Sequence, residues 1–195
     1  MDLKLMISFF SLLCYNSYCQ SDIFEKINQY MSEKERYKEL LFVSIEEQKM
    51  YQIESKKITH IYDISTSKYG VGNKKNSNKT PLGLHLVKEK HGDNVPINGR
   101  MVGRVFYGDI AKIYSDSTIS KTDDITSRVL WLEGLEHGIN KGENIDSFER
   151  YIYIHGTSEE GRIGIPSSHG CVRMKNKDVI DLYKEVSIGT FVLIL

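Results

Sequence analysis

The chain has 195 residues, 40% hydrophobic and 27% charged, enough for one domain with a genuine core and short for two. That balance excludes a disordered or low-complexity chain. Lys plus Arg and Asp plus Glu number 26 each, so no net field selects nucleic acid or an anionic membrane surface, and any charged ligand must be read by local groups.

The amino terminus carries Lys4, an apolar run from Leu5 to Cys14, then the small residues Ser17 and Cys19 before Gln20. This is the pattern of a cleaved secretory signal over residues 1–19, which makes the mature protein exported, with no transmembrane segment. The run is shorter than the ~20 residues needed to cross a bilayer, and no later stretch reaches that length. A lipid anchor at Cys19 is the alternative, but Tyr18 is bulkier than the small residue such processing favours. Cleavage leaves Cys171 as the only thiol of the mature chain. A lone thiol in an oxidising compartment risks unwanted cross-linking, so its retention points to chemistry.

From Asp22 to Leu40 the apolar residues Ile23, Phe24, Ile27, Tyr30, Met31, Tyr37 and Leu40 recur at helical intervals. They predict one amphipathic helix within an N-terminal helical segment over residues 20–40, with Ser32 as a place to break. From Leu41 to Ser67, LLFVSI, KMYQIE and ITHIYDIST predict three strands joined by tight turns at Glu47–Gln48 and Ser55–Lys57. KYGVGNKKNSNKTPLG is a loop; it has glycines but no phosphate-loop spacing and no following helix. LGLHLV returns to strand character. Residues 88–150 are irregular, with a short strand at Val129–Leu132, and are expected to form an ordered cover. YIYI at Tyr151–Ile154 is a strand ending on His155. After Cys171, Asn176 is the expected N-cap of a short helix that buries Val179, Leu182, Tyr183 and Val186 and ends by Gly189, and FVLIL closes the chain as a buried strand.

The stretch HGTSEEGRIGIPSSHGC, His155 to Cys171, brings two histidines close in sequence to the lone thiol. A free cysteine is mostly protonated at neutral pH, so a nucleophilic one needs a base or a shifted pKa. His155 can serve if the loop folds back. Gly170 lets a substrate carbonyl lie against the main chain, where the amides at Gly170 and Cys171 can receive an oxyanion. His169 offers a second imidazole, and Arg173 a planar cationic fork for a carboxylate or, equally, a clamp between turn and helix. The ordinary structural readings are a small buried Cys171, a hydrogen-bonded strand-end His155 and a His169 that holds the turn.

The pattern H-G-T followed by S-H-G-C-V-R-M resembles the signature of L,D-transpeptidase (YkuD-type) catalytic domains. T-P-L-G at Thr80–Gly83 is similar to the family's T-P-x-G, and WLEGLEHGIN with RYIYIHGT resembles the longer Gram-negative periplasmic members. The resemblance covers residues 41–195, the expected catalytic domain. It implies a mainly β, mixed sandwich, with a helix before it and a short helix after the cysteine. It also implies Cys171 as acylated nucleophile, His155 as base, His169 beside them, and Ser168, Gly170, Gly156 and Arg173 as oxyanion and substrate-binding surroundings. The implied substrates are peptidoglycan stem peptides, with no metal or cofactor; a thioester would be resolved by a second stem peptide, a lipoprotein, a D-amino acid or water. Carboxypeptidase or amidase-like hydrolysis and an inactive wall-binding module are the alternatives. A zinc site of His155, His169 and Cys171 is a further rival, although its spacing matches no finger. Two departures stand out. Gly156 after the base has no hydroxyl to orient the imidazole, so a backbone carbonyl must serve; and His85 stands where the family often has an aromatic, read as tuning of a groove.

Overall fold

The computed structural model describes residues 22–31 and 37–195. The signal reading of residues 1–19 and the break at Ser32 lie outside the described residues. Two compact units divide the chain, Met1–Tyr37 and Lys38–Leu195. In the first, residues 22–30 form helix α1, with Ile23 and Ile27 one turn apart. The expected helical segment to residue 40 is too long, because Glu39 and Leu40 already belong to a strand. The reason is the run Leu40–Val43: all four side chains are buried, and they register with strands on both sides. A continuous apolar run of that length is what a strand covered on both faces requires.

The second unit is built on ten strands: β1 Glu39–Ser44, β2 Lys49–Glu54, β3 Lys57–Ser65, β4 Gly83–His91, β5 Gly99–Val102, β6 Val105–Ile110, β7 Ile125–Gly134, β8 Tyr153–Gly156, β9 Val172–Met174 and β10 Phe191–Ile194. Their pairing order is β4-β10-β1-β2-β3-β9-β8-β7, and β7 also pairs with β4, so eight strands close on themselves; the β5–β6 hairpin hangs from β7. The architecture is mainly β, as expected. Most pairs are antiparallel, but β1–β10 and β8–β9 are parallel. Ser55 and Lys56, both at positive φ, make the two-residue turn between β2 and β3.

Residues 88–150 carry more strand than their irregular pattern suggested. β4 runs on to His91, the β5–β6 hairpin turns at Gly103 and Arg104, both at positive φ, and β7 is ten residues long rather than four. Helix α2 spans Asn176–Glu185, with Lys175 rather than Asn176 at the cap position. Asn176 fails as a cap because its side chain is spent elsewhere: its Nδ2 donates to Thr157 O at 2.9 Å, and its Oδ1 accepts from Thr126 and Ser127 hydroxyls at 2.6 Å each. Glu160 caps the helix instead, its Oε1 accepting the Asn176 N–H at 2.7 Å. The helix closes at Glu185, before Gly189, whose φ of +92° turns the chain into β10.

Val179, Leu182, Tyr183 and Val186 press into a core of Leu41, Met50, Ile64, Leu130, Ile154, Val172 and Met174, among others. Each fully buried aliphatic side chain there stabilises the fold by about 1.5–3 kcal/mol. A second, smaller cluster gathers Val95, Met101, Val129, Trp131 and Tyr153, with Phe148 and Cys171 packed against it. The thiol thus sits where the core meets the surface.

Candidate active site

Strand β8 and strand β9 lie side by side and parallel, with Ile154 opposite Val172, His155 opposite Arg173 and Gly156 opposite Met174. Extending that register back by one residue sets Cys171 beside Tyr153, whose N–H donates to the sulfur at 3.4 Å. Side chains alternate across a strand, so Tyr153, His155, Cys171 and Arg173 share one face. Strand spacing and rise put the Cα atoms of His155 and Cys171 about 8 Å apart. Side chains of their lengths can meet across that gap. No hydrogen bond joins them in the resting structure, where the Cys171 Sγ–H donates to Tyr151 O at 3.4 Å.

His155 is 2% exposed. Its Nδ1 lies 2.7 Å from the carbonyl oxygen of Gly156. A carbonyl only accepts, so Nδ1 carries the proton and Nε2 is left with a lone pair. Burial holds the imidazole down to about 4, against the weaker upward pull of Asp123 and the Gly156 carbonyl. Burial likewise pushes the Cys171 thiol up to about 12, partly opposed by the Tyr153 N–H. Near neutral pH the resting pair is therefore a thiol and a neutral imidazole. Of the two routes to a nucleophilic sulfur, a base or a lowered pKa, the resting site offers the first, because burial outweighs the pull of Arg173 and Arg150 on the sulfur.

The turn before the cysteine is pinned by Ser168, whose Oγ donates to Cys171 O at 2.6 Å and accepts the Gly170 N–H at 3.2 Å. Gly170 has φ +128°, a conformation that favours glycine. Gly156 is demanded by packing instead: a Cβ there would lie 2.7 Å from both Asn176 Oδ1 and Thr126 O. The T-P-L-G loop supports the same turn. Thr80 Oγ1 accepts the Ser67 N–H at 2.9 Å, and Ser67 bridges to Ser168.

Arg173 is 2% exposed. Its Nη1 donates to Glu159 at 2.8 Å and to Ser167 at 3.3 Å, while Nη2 donates to Asp123. Of its two sequence readings, fork for a substrate carboxylate or clamp, the structure places it as a clamp joining β9 to the loops at 123 and 159. His169 projects from the turn, its Nδ1 2.7 Å from Asp123 Oδ2, with the Tyr69 ring 5.8 Å away. His85 is not on a groove at all. It is fully buried on β4, bonded to Gly83 O and Ser147 Oγ at 2.9 Å each, and burial lowers it to about 4. Among the described residues no group of three His, Cys, Asp or Glu side chains is placed to hold a metal, so His155, His169 and Cys171 do not converge as ligands.

The sequence profile of the YkuD L,D-transpeptidase catalytic domain matches residues 38–194, the second compact unit almost end to end. The chain belongs to the YkuD L,D-transpeptidase catalytic-domain family. Over 41 residues it is 46% identical to the probable L,D-transpeptidase YbiS of Escherichia coli (strain K12), a stretch that covers 21% of this chain and 13% of that protein. Over 46 residues it is 54% identical to the putative L,D-transpeptidase YkuD of Bacillus subtilis (strain 168), covering 24% and 28%. The matched stretches thus span well under a third of these relatives. A solved structure of the Ldtfm–avibactam carbamoyl enzyme superimposes with a TM-score of 0.51 at 17% identity, over 82% of this chain and 49% of that one. At that identity the likeness bears on the fold alone.

Three residues of this L,D-transpeptidase-family domain escaped the motif reading. Asp123, just before β7, ties His169 to Arg173, and those partners hold its carboxyl below the ordinary range against burial. Arg150 fastens the 72–79 loop by donating to Gly72 O and Lys79 O at 3.2 and 2.6 Å, and its charge reaches the sulfur. Arg104, at the tip of the β5–β6 hairpin, lies 4.2 Å from the Trp131 ring centroid and donates to Tyr153 OH at 3.0 Å. Only Arg104 had a local signal, the Gly103–Arg104 turn between two alternating runs. The other two are loop residues whose partners are distant in sequence. Among the described residues no helix is long and apolar enough to cross a membrane.

Proposed function

We propose that the chain is a cysteine-dependent L,D-transpeptidase of peptidoglycan stem peptides that works through a thioester on Cys171. The observation that carries this reading is the parallel β8–β9 pair, which sets His155 and Cys171 on one face with Nε2 of His155 free to accept a proton. The thiol hands its proton to Nε2 as sulfur attacks the carbonyl at an L-to-D centre. Negative charge then gathers on the carbonyl oxygen, where the main-chain amides at Gly170 and Cys171 receive it. The Gly170 N–H is held only by the 3.2 Å contact to Ser168 Oγ, which a full oxyanion outcompetes. The carbon–nitrogen bond breaks, the imidazolium returns its proton to the departing amine, and a D-amino acid leaves. An amine or water then attacks the thioester. No cofactor enters the scheme. The secretory pattern of residues 1–19 supports action in the periplasm or another exported setting, where the wall substrate lies.

The test is incubation of the full chain with disaccharide tetrapeptide, followed by intact mass measurement. An acyl adduct on Cys171 with release of D-alanine is expected, and Cys171→Ala abolishes both. Release of D-alanine by Cys171→Ala refutes the reading; binding without any adduct on the unmodified chain favours a wall-binding module instead.

A further inference from the structure

Two bulky residues near the sulfur hold left-handed backbone, Arg104 at φ +69° and Tyr151 at φ +58°. Such conformations are costly for residues with large side chains and persist only where the surroundings over-determine them. Arg104 occupies the tip of the β5–β6 hairpin, a two-residue turn that Asn and Gly fill best, so the turn itself does not account for an arginine. Tyr151 is 55% exposed, so core packing does not account for its conformation either.

The side chains of both meet at Trp131, the only tryptophan of the chain. The Arg104 guanidinium lies 4.2 Å from the Trp131 centroid and the Phe148 ring 3.9 Å from it, distances that put the two on opposite faces of the indole. The Tyr151 ring stacks on Trp131 at 5.5 Å and lies 5.8 Å from the same guanidinium. Arg104 is fixed there through Nη1, which donates to Tyr153 OH at 3.0 Å.

Tyr151 and Tyr153 are also the residues whose main chain holds the sulfur: Tyr151 O accepts its proton and Tyr153 N–H donates to it, each at 3.4 Å. The two are not secured equally. Tyr153 belongs to β8 and is paired with Trp131 of β7. Tyr151 precedes that strand, and its own N–H donates to Phe148 O at 3.0 Å. With Arg150 and Ile152 it walls a recess of about 180 Å³. A return of Tyr151 to ordinary negative φ would swing its carbonyl off the sulfur, and the ring contacts with Trp131 and Arg104 oppose that return.

We infer that Arg104 is a positioning residue, which braces Tyr151 in its left-handed conformation and so keeps the Tyr151 carbonyl on the proton of Cys171. The hairpin tip thereby acts on the resting thiol through two aromatic rings without touching the sulfur. Its part in acyl transfer rests on the thioester reading above: the brace sets how readily the thiol turns from Tyr151 O to His155 Nε2. A hydrogen bond made by the protonated form opposes ionisation, so a weaker brace means more thiolate. The cations whose charge bears on the sulfur are Arg173 and Arg150, so loss of Arg104 acts by geometry.

The experiment compares four full chains: unmodified, Arg104→Asn, Tyr151→Gly, and the two substitutions together. Asn adopts positive φ more readily than Arg, so the turn is kept while the brace is removed. Alkylation by iodoacetamide at pH 8 is followed at the peptide that contains Cys171. Arg104→Asn should speed it about threefold, the scale of one partly exposed cation–π contact. Glycine takes positive φ unaided and offers no ring to brace, so in the Tyr151→Gly background the same substitution should leave the rate unchanged. Acrylamide quenching of Trp131 fluorescence should rise in Arg104→Asn, because a face of the indole is uncovered. An unchanged rate in Arg104→Asn, an equal acceleration in both backgrounds, or unchanged quenching overturns the inference. None of these readouts needs a substrate: if they hold and no acyl adduct ever forms, the brace stands and the thioester reading alone falls.

Discussion

Iodoacetamide reacts with thiolates and scarcely with thiols, so its rate at Cys171 reads the resting charge of the site. Burial pushes that thiol from its ordinary 9.0 up to about 12. At pH 8 the ionised fraction is then on the order of 10⁻⁴, against roughly 10⁻¹ for an unshifted cysteine, about a thousandfold fewer thiolates. Alkylation of the folded chain, followed at the peptide that contains Cys171, should run at pH 8 about a thousandfold slower than after unfolding. It should rise about tenfold per pH unit from 7 to 10 with no plateau, since the inflection lies above that range. His155→Gln should leave this resting profile in place, because a neutral imidazole holds no thiolate, while it abolishes acyl transfer. A plateau below pH 8 that disappears in His155→Gln would mean a preformed thiolate–imidazolium pair, and the account of His155 as a neutral base would be wrong.

His85 and His155 are both buried neutral, each lowered from 6.5 to about 4. The unfolded chain therefore binds their protons first: their cost is absent above about pH 6.5 and grows as pH falls toward 4, to about 3 kcal/mol for each. Denaturant midpoints across that window should fall with acid, and His85→Gln should flatten the slope. Gly156→Ala drives a methyl against Asn176 Oδ1 and Thr126 O, which strains the β8–β7 contact and costs about 1–3 kcal/mol or more, measurable by thermal unfolding. Arg173→Met removes the closer cation of Glu159, only 5% exposed, and leaves it Arg162 Nε at 3.6 Å; the loss should cost about 3 kcal/mol by the same measurement.

Spacing and motif made much of this molecule legible in advance, in ways that follow from locality. LLFVSI, KMYQIE and ITHIYDIST read correctly as strands because their turns are short and their apolar runs unbroken. His155 and Cys171 read as a pair because the motif carries them. What the chain hid depends on partners far away. Asn176 is a good N-cap by residue type, yet its carboxamide is claimed by Thr126, Ser127 and Thr157. Arg173 is a good ligand fork by type, yet Asp123, fifty residues earlier, and Glu159 take it. β5 and β6 were lost because exposure runs against residue type: Val105, Tyr107 and Ile110 of β6 are exposed, so its apolar side chains mark no buried face, and the strand finds its place by pairing with β5. The helical period was carried too far at Tyr37 and Leu40, since a spacing of three is compatible with a strand entry as well as a turn of helix.

The resting hydrogen bonds of Cys171 set the order of events at this site. A thiol that donates to Tyr151 O cannot at the same moment donate to His155 Nε2, so on the proposed thioester route an exchange of acceptors has to precede attack. That exchange costs little, because S–H is a weak donor and the contact is 3.4 Å long. Tyr151 holds the carbonyl in place from a φ of +58°, a region costly for a bulky residue, and its ring is stacked on Trp131 at 5.5 Å. A peptide laid along the Arg150–Tyr151 wall competes for that carbonyl. Substrate entry itself then releases the proton toward the imidazole, and the thiolate forms only when a carbonyl is present to be attacked. In the oxidising compartment proposed for the chain, such a thiol would stay inert between turnovers of the proposed reaction.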